Sequence, residues 1–536
     1  MSDDHCGDRV LREARKRRSF AVISHPDAGK STLTEALALH AKVIDAAGAV
    51  HGKSGRKGVT SDWMEMERRR GISVSSAVLQ FPYRGSMINL LDTPGHGDFS
   101  EDTYRVLAAV DAAVMLLDAA KGLEPQTLKL FDVCRFRRIP VITFVNKWDR
   151  PGREPLELLD EVEQTIGLRP MPITWPLGAA GELHGLIEVA TGEFTRYARA
   201  AGGATRASAD VVPTEVIAAE EPRSWATAQD ELALLAEIGA RFDEKDFLSG
   251  NASAVLFGSA LSNIGVGPLL DALVELAPSP TERVDVEGRP RALDAPLSGL
   301  VFKVQAGMDR AHRDRMAFLR VHSGRFERGM VLTHAATGRS FATKYAQSMF
   351  GNQRTTVEEA FPGDIVGLVN ANALRPGDTL HAAEPVEYPT IPSFAPEHFA
   401  TARCTDASKS KQFRRGVEQL DGEGVIQVLR SDLRGDQAPV FAAVGPLQFE
   451  VVAARLADEF HVPIELEHLT YRLARITDTA GEELLAQQSE CEVLRRSSGV
   501  RLALFSSPWR LDVIARKFPD LRLDAMPAGR STAKRL

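Results

Sequence analysis

The chain has 536 residues, a formal net charge of −7, 44% apolar and 26% charged residues, which is room for roughly three soluble globular domains. The acidic balance excludes a basic field over the whole molecule, so any nucleic-acid contact must come from local patches. Four cysteines without a Cys-x-x-Cys pair argue against a zinc site or a disulfide framework and suit a reducing compartment. The charged N-terminus and the short apolar runs imply no membrane partner and a cytoplasmic location.

Residues 9–18 read as a polar helix, and residues 20–23 as a buried strand. Ser24, His25, Pro26, Asp27, Ala28, Gly29, Lys30 and Ser31 follow, and residues 32–39 read as a helix beginning at Thr32. A strand, a tight loop and a helix carrying Gly-Lys-Ser is the arrangement that wraps backbone N–H groups around a phosphate at a helix N-terminus. Lys30 would reach the β- and γ-phosphates, and the Ser31 hydroxyl would ligate Mg²⁺. Ser24 replaces the first glycine of the usual pattern, so an ordinary strand-helix turn is the competing reading of this loop alone.

Residues 52–58 and 61–73 are rich in glycine and charge. They read as a surface loop, or as a switch that orders around a γ-phosphate, with Ser73 at the metal and Ile72 as apolar cover. A strand over 87–91 then ends in Asp92, Thr93, Pro94, Gly95 and His96. Asp92 would hold Mg²⁺ through water, the Gly95 amide would face the γ-phosphate, and His96 would position the attacking water. Residues 112–117 form another strand, ending at Asp118. Residues 140–145 lead to Asn146, Lys147 and Asp149. The Asp149 carboxylate can accept from N1–H and the exocyclic amine of guanine, which adenine does not offer. Asn146 would brace the loop, and the Lys147 stem would cover the base. A strand over 253–257 leads to Ser259, which steadies a loop, to the Ala260 amide, which can face guanine O6, and to Leu261. In an open, mostly parallel α/β sheet, such strand ends meet in one crevice.

Between the two base-reading motifs lies an insertion over about 160–250, in which residues 200–222 show little periodicity. Short strands near 299–304, 316–321 and 364–369, separated by turn residues, suit a β-barrel. Residues 396–470 alternate as a βαββαβ unit, with helices at 408–420 and 447–460. Beyond 470 the reading is a helix around 482–496 and little chemistry. The expected architecture is an α/β P-loop GTPase domain (1–282), a β-barrel domain (293–385) and a C-terminal α+β ferredoxin-like domain (390–536).

The nucleotide motifs, with His rather than Gln at position 96, resemble those of the translational GTPases, related to elongation factors G and Tu. Within them, residues 24–30 and 61–73, Thr174 to Pro176, His312 to Arg315 and Val444 to Phe449 resemble the family of bacterial peptide chain release factor 3, and the likeness weakens after about residue 470. The resemblance implies a ribosome-dependent GTPase in translation termination that promotes dissociation and recycling of the class I release factor. It implies GTP/GDP and Mg²⁺ as cofactors and a monovalent cation near Asp27. It places Pro26 and Ile72 at an apolar gate before His96. It also raises the basic clusters Arg68 to Arg70, His312 to Arg315, and Lys409, Lys411, Arg414 and Arg415 as contacts to ribosomal RNA. Partners beyond the ribosome and the class I factor include guanosine tetraphosphate, and the chain is expected to be a monomer. Alternatives are a translocase or ribosomal protection factor, which carry further C-terminal domains, and a binding switch or nucleotide sensor in which hydrolysis is incidental.

Overall fold

The computed structural model describes residues 3–44, 76–198, 207–306, 315–350, 353–431, 434–435 and 438–526. The switch-loop readings on 52–58 and 61–73, including Arg68, Arg69, Arg70, Ile72 and Ser73, lie outside the described residues, as do His312, Arg313 and Asp314.

The first domain is built on a sheet in the order Ala77–Tyr83, Ser86–Asp92, Arg17–Ser24, Ala112–Asp118, Val141–Asn146, Ala252–Phe257, Arg169–Pro172. All neighbours are parallel except Ala77–Tyr83, which runs antiparallel to Ser86–Asp92. Strands covered on both faces become continuous apolar runs, and Ala112–Asp118 is buried at every position. Alternate side chains serve opposite layers. Phe20 and Val22 pack with Leu33 and Leu37 of the helix Lys30–His40, whereas Ala21 and Ile23 pack with Val106 and Phe131 on the other face.

The insertion is a four-stranded antiparallel sheet, Thr174–Leu177, Gly185–Glu188, Phe194–Tyr197 and Ala209–Val212, followed by helices Thr214–Glu220, Pro222–Glu237 and Glu244–Leu248. The aperiodic reading of 200–222 is thus corrected over its described part. Ala209–Val212 is a largely exposed edge strand, which shows no apolar alternation, and prolines at 213 and 222 open the two helices that follow.

The β-rich second domain curls antiparallel strands round one core. Ser298–Ala306 pairs with Arg315–Ser323, which pairs with Ile365–Val369. It joins the first domain through buried polar groups. Asp111 accepts from Arg320 and, at 2.7 Å, from Arg283. Asn89 donates to the Gly363 carbonyl at 3.0 Å, and Arg17 pairs with Asp364 at 3.2 Å. Gly363 sits at φ +102°, and a Cβ there would come within 2.5 Å of Pro280 and 2.8 Å of Arg17.

The third domain orders its first four strands Ile464–His468, His398–Cys404, Val440–Ala443, Gln427–Arg430, with helices Ser410–Glu423 and Leu447–Phe460 between them. That is the ferredoxin-like order. The tail departs from expectation. The helix is only Thr479–Leu485, and Cys491–Arg496 is a strand that pairs with Gln427–Arg430. Arg501–Phe505 and Leu473–Thr477 continue the same sheet, giving seven strands. The alternation of Cys491–Arg496 is masked because most of its residues are only half-buried. Among the described residues no helix is long and apolar enough to cross a membrane.

Candidate nucleotide site

The C-terminal ends of four parallel strands bring the motif residues to one edge of the first sheet. Ser24 ends the first strand, buried, with its Oγ donating to the His25 carbonyl at 2.9 Å. The loop turns through Asp27 (φ 66°) and Gly29 (φ 99°) and enters the helix at Lys30. Gly29 is required twice over: its backbone is left-handed, and a Cβ there would lie 2.5 Å from Asn146 Nδ2. Pro26 and Lys30 face the Asp92 loop. A Cβ on Gly95 would lie 3.1 Å from Lys30 Nζ and 3.4 Å from Pro26 Cα. Asp92 ends its strand buried, and the Thr93 hydroxyl anchors the turn by donating to the Val22 carbonyl at 2.7 Å. Pro94 accepts from Thr103 at 3.3 Å. His96 is part-exposed, with its Nδ1 accepting from the Asp98 amide at 3.2 Å. Ser31 and Thr32 occupy the first turn of the helix, half-buried.

Asn146 is the joint between the loops. Its Nδ2 donates to the Ala28 carbonyl at 2.8 Å, and its Oδ1 accepts from the Ala260 amide at 2.8 Å. The Ala260 amide, expected to face a base carbonyl, donates here to Asn146 Oδ1. Ser259 is buried, and its Oγ accepts from the Ser262 amide at 3.1 Å. Leu261 is half exposed, and its amide donates to nothing among the described residues. Lys147 stands at φ 66°, with its Nζ donating to the Asp27 carbonyl at 2.5 Å and to Asp118 Oδ2 at 2.7 Å.

Asp118 is the residue that motif reading missed. Burial works to raise its pKa, but hydrogen bonds from Lys147 and the Ala120 amide outweigh that and hold the carboxyl below its ordinary range. Its sequence signal was a carboxylate closing an otherwise apolar strand; its place beside the Asn146 strand comes from the sheet. His25 pairs with Glu124 at 3.1 Å, a contact that no motif announced.

These residues fit a guanine nucleotide and its metal. Asp149 Oδ1 is buried without a hydrogen-bond partner, which is costly unless a ligand donor meets it. Gly29 and Gly95 keep open the space that a Cβ would take beside Lys30 and Asn146. Ser31 and Asp92 supply the oxygen donors that a hard cation prefers. Lys30, Asp92, Asn146, Asp149 and Ser259 all belong to loops or strand ends on this one edge, while Ser73 lies outside the described residues. Of the surface clusters, Lys411, Arg414 and Arg415 are exposed on the helix Ser410–Glu423. Arg315 is half-buried and donates to the carbonyls of Gly422 at 2.7 Å and Leu374 at 3.0 Å.

Comparison with known proteins follows the same three-part order. Residues 15–279 match the family described as Elongation factor Tu GTP binding domain, 296–383 match Elongation factor G domain 2, and 388–515 match Class II release factor RF3, C-terminal domain. The chain is 44% identical over 533 residues to Peptide chain release factor 3 of Synechocystis sp., covering 98% of this chain and 97% of that one. It is 46% identical over 519 residues to the protein of the same name from Gloeobacter violaceus, covering 95% and 97%. A crystal structure of a protein from Thermus thermophilus is similar with a TM-score of 0.68 and 26% identity, over 86% of this chain and 69% of that one.

Proposed function

The chain belongs to the peptide chain release factor 3 family of translation-termination GTPases, and from that premise we propose that it is a ribosome-stimulated GTPase that drives the class I release factor off the terminated ribosome. The observation that carries this reading is the Asn146 joint. One side chain ties the phosphate loop to the Ser259 loop while the Asp149 carboxylate beside it keeps an unpartnered buried oxygen.

In this reading Asp149 accepts from N1–H and the exocyclic amine of guanine, and Lys147, braced by Asp118 and Asp27, lays its stem over the base. The Ala260 and Leu261 amides are the candidate donors to the base carbonyl. Backbone amides from Ser24 to Thr32, Pro26 excepted, cradle the phosphates at the start of the helix Lys30–His40. Lys30 neutralises charge on the β- and γ-phosphates. Ser31, Ser73 and, through water, Asp92 would hold Mg²⁺, which would supply positive charge to the phosphate oxygens. His96 positions a water whose oxygen bonds to the γ-phosphorus as the bond to the β–γ bridging oxygen breaks. The Gly95 amide faces the γ-phosphate, where charge accumulates. In the same reading Asp27, exposed at the loop's turn, helps hold a monovalent cation, and Pro26 acts as a gate residue. The site accepts GTP, GDP and guanosine tetraphosphate.

No arginine finger is evident from the sequence motifs, and slow unstimulated turnover is the expectation. Comparable GTPases start at roughly 10⁻⁴ to 10⁻² per second and gain up to about 10⁵ from a partner. Lys411, Arg414 and Arg415 contact ribosomal RNA phosphates, so ribosome binding weakens as salt rises. The protein acts as a monomer in the cytoplasm. The decisive experiment measures class I factor dissociation from terminated ribosomes with GTP, with a non-hydrolysable analogue, and with the His96→Ala variant. Dissociation that proceeds unchanged without added protein or nucleotide overturns the reading. Normal recycling by His96→Ala would leave a binding switch with incidental hydrolysis.

A further inference from the structure

One carboxylate stands between His96 and the C-terminal domain. Asp98 lies in the short helix Gly97–Phe99 immediately after His96. Its amide donates to His96 Nδ1 at 3.2 Å, and its Oδ1 lies 3.4 Å from the same nitrogen. Its Oδ2 accepts from the Leu447 amide at 2.7 Å. Leu447 opens the 14-residue helix Leu447–Phe460, whose N-terminus attracts negative charge. The approach depends on Gly445, where a Cβ would fall between 2.1 and 2.6 Å from the carboxyl atoms of Asp98. The neighbouring contacts hold the two elements together. Phe99 packs with Val425, Leu447 and Val451, and Arg105 donates to the Gly424 carbonyl at 3.1 Å.

A neutral imidazole has one nitrogen that donates and one that accepts. With the Asp98 amide donating to Nδ1, the ring carries its proton on Nε2 and presents a water with no acceptor. Held through Oδ2 at the Leu447 amide, the carboxylate keeps Oδ1 3.4 Å from Nδ1, too long for a good hydrogen bond; released, it could close on Nδ1–H and accept from it. The proton leaves Nε2 and Nδ1 gains one, by exchange with solvent at a ring whose side chain is 38% exposed. The ring's net charge does not change. Nε2 then has a free lone pair to accept from the attacking water.

We propose that Asp98 is a positioning residue that selects the tautomer of His96, and that the C-terminal domain withholds it by binding its carboxylate at the start of the helix Leu447–Phe460. This rests on the water-positioning role given to His96 above. Movement of that domain on a binding partner would free the carboxylate and arm the site.

The test uses the full chain. Gly445→Ala places a methyl where the carboxylate sits and expels it from the Leu447 amide without touching the nucleotide loops. Ribosome-independent kcat should rise roughly tenfold, the worth of one diverted charge-assisted hydrogen bond, with KM and GDP affinity unchanged. A purely structural contact would give no rise, or a fall. The double variant Asp98→Asn/Gly445→Ala should lose the rise, because an amide side chain also donates and favours the wrong tautomer. Imidazole ¹⁵N shifts, with the His96 signals assigned by their loss in His96→Gln, should report Nε2–H in the parent chain and Nδ1–H in Gly445→Ala. Asp98→Asn alone, which still accepts from Leu447, should lower ribosome-stimulated kcat by about 10² or more at constant KM. It gives a reading even if Gly445→Ala does not fold. An unchanged tautomer in Gly445→Ala, or full stimulation in Asp98→Asn, overturns the proposal while leaving His96 in its role. Full hydrolysis by His96→Ala instead removes the premise itself.

Discussion

Replacing Asn146 by alanine tests the site at its joint. The side chain is buried and makes two hydrogen bonds of 2.8 Å, one to the Ala28 carbonyl and one from the Ala260 amide. Truncation orphans a buried acceptor on the phosphate loop and a buried donor on the Ser259 loop. Each orphan costs about 1–3 kcal/mol, so the two together cost roughly 2–6 kcal/mol if no water enters. The loops can escape that cost only by separating, which takes the phosphate cradle away from the base pocket. The loss should therefore appear chiefly as nucleotide affinity, at roughly 30-fold to 10⁴-fold, with a smaller fall in melting temperature of the nucleotide-free protein. Fluorescent-GDP titration and thermal melting on the same samples separate the two. GDP affinity within threefold of the parent would refute the claim that this side chain couples the two loops.

Asp149→Asn replaces an acceptor of two donors by a group that also donates. Guanine nucleotide binding should fall by about a hundredfold or more, and a xanthine nucleotide, which offers a carbonyl at that position, should recover affinity in the same titration. Asp111→Ala leaves the buried Arg320 guanidinium without its carboxylate. It should destabilise the junction of the first two domains by about 3–5 kcal/mol, read as lower melting temperature and faster proteolysis between them. His322 is buried with neither ring nitrogen hydrogen-bonded, edge-on to Tyr388 at 4.5 Å. Burial, reinforced by Arg283 and Arg320, holds its pKa well below 6.5. The unfolded chain therefore takes up a proton as pH falls through 6.5 while the folded one does not, so stability falls by about 1.4 kcal/mol per pH unit below that point. His322→Phe should melt with a shallower pH dependence between pH 6.5 and 5, and an unchanged slope would refute the assignment.

What was legible in the sequence was what repeats locally. Strands such as Ala112–Asp118 are apolar without interruption because both faces are covered, and phosphate-loop chemistry is written in consecutive residues. The order of the three domains followed from where alternation replaces continuous apolar runs. Contacts that depend on distant chain meeting distant chain were not legible. Nothing near Asp98 announces Leu447, and nothing near Lys147 names Asp118 as its partner. The Asn146 contact of the Ala260 amide was hidden for the same reason, since it is made by the sheet and not by sequence proximity. The strand at Cys491–Arg496 reads as helix in the sequence because half-buried positions blur the period that separates the two.

The seven-stranded sheet of the third domain also bears on how the chain can be cut. Gln427–Arg430 would be the rim of a four-strand unit, yet Cys491–Arg496 lies against it. Removing everything after about residue 470 would lay bare a row of backbone donors and acceptors beside the apolar Val428 and Leu429, a template on which a second molecule can add its own strand. Such shortened proteins should precipitate or pair in solution even though every nucleotide-contacting loop remains intact.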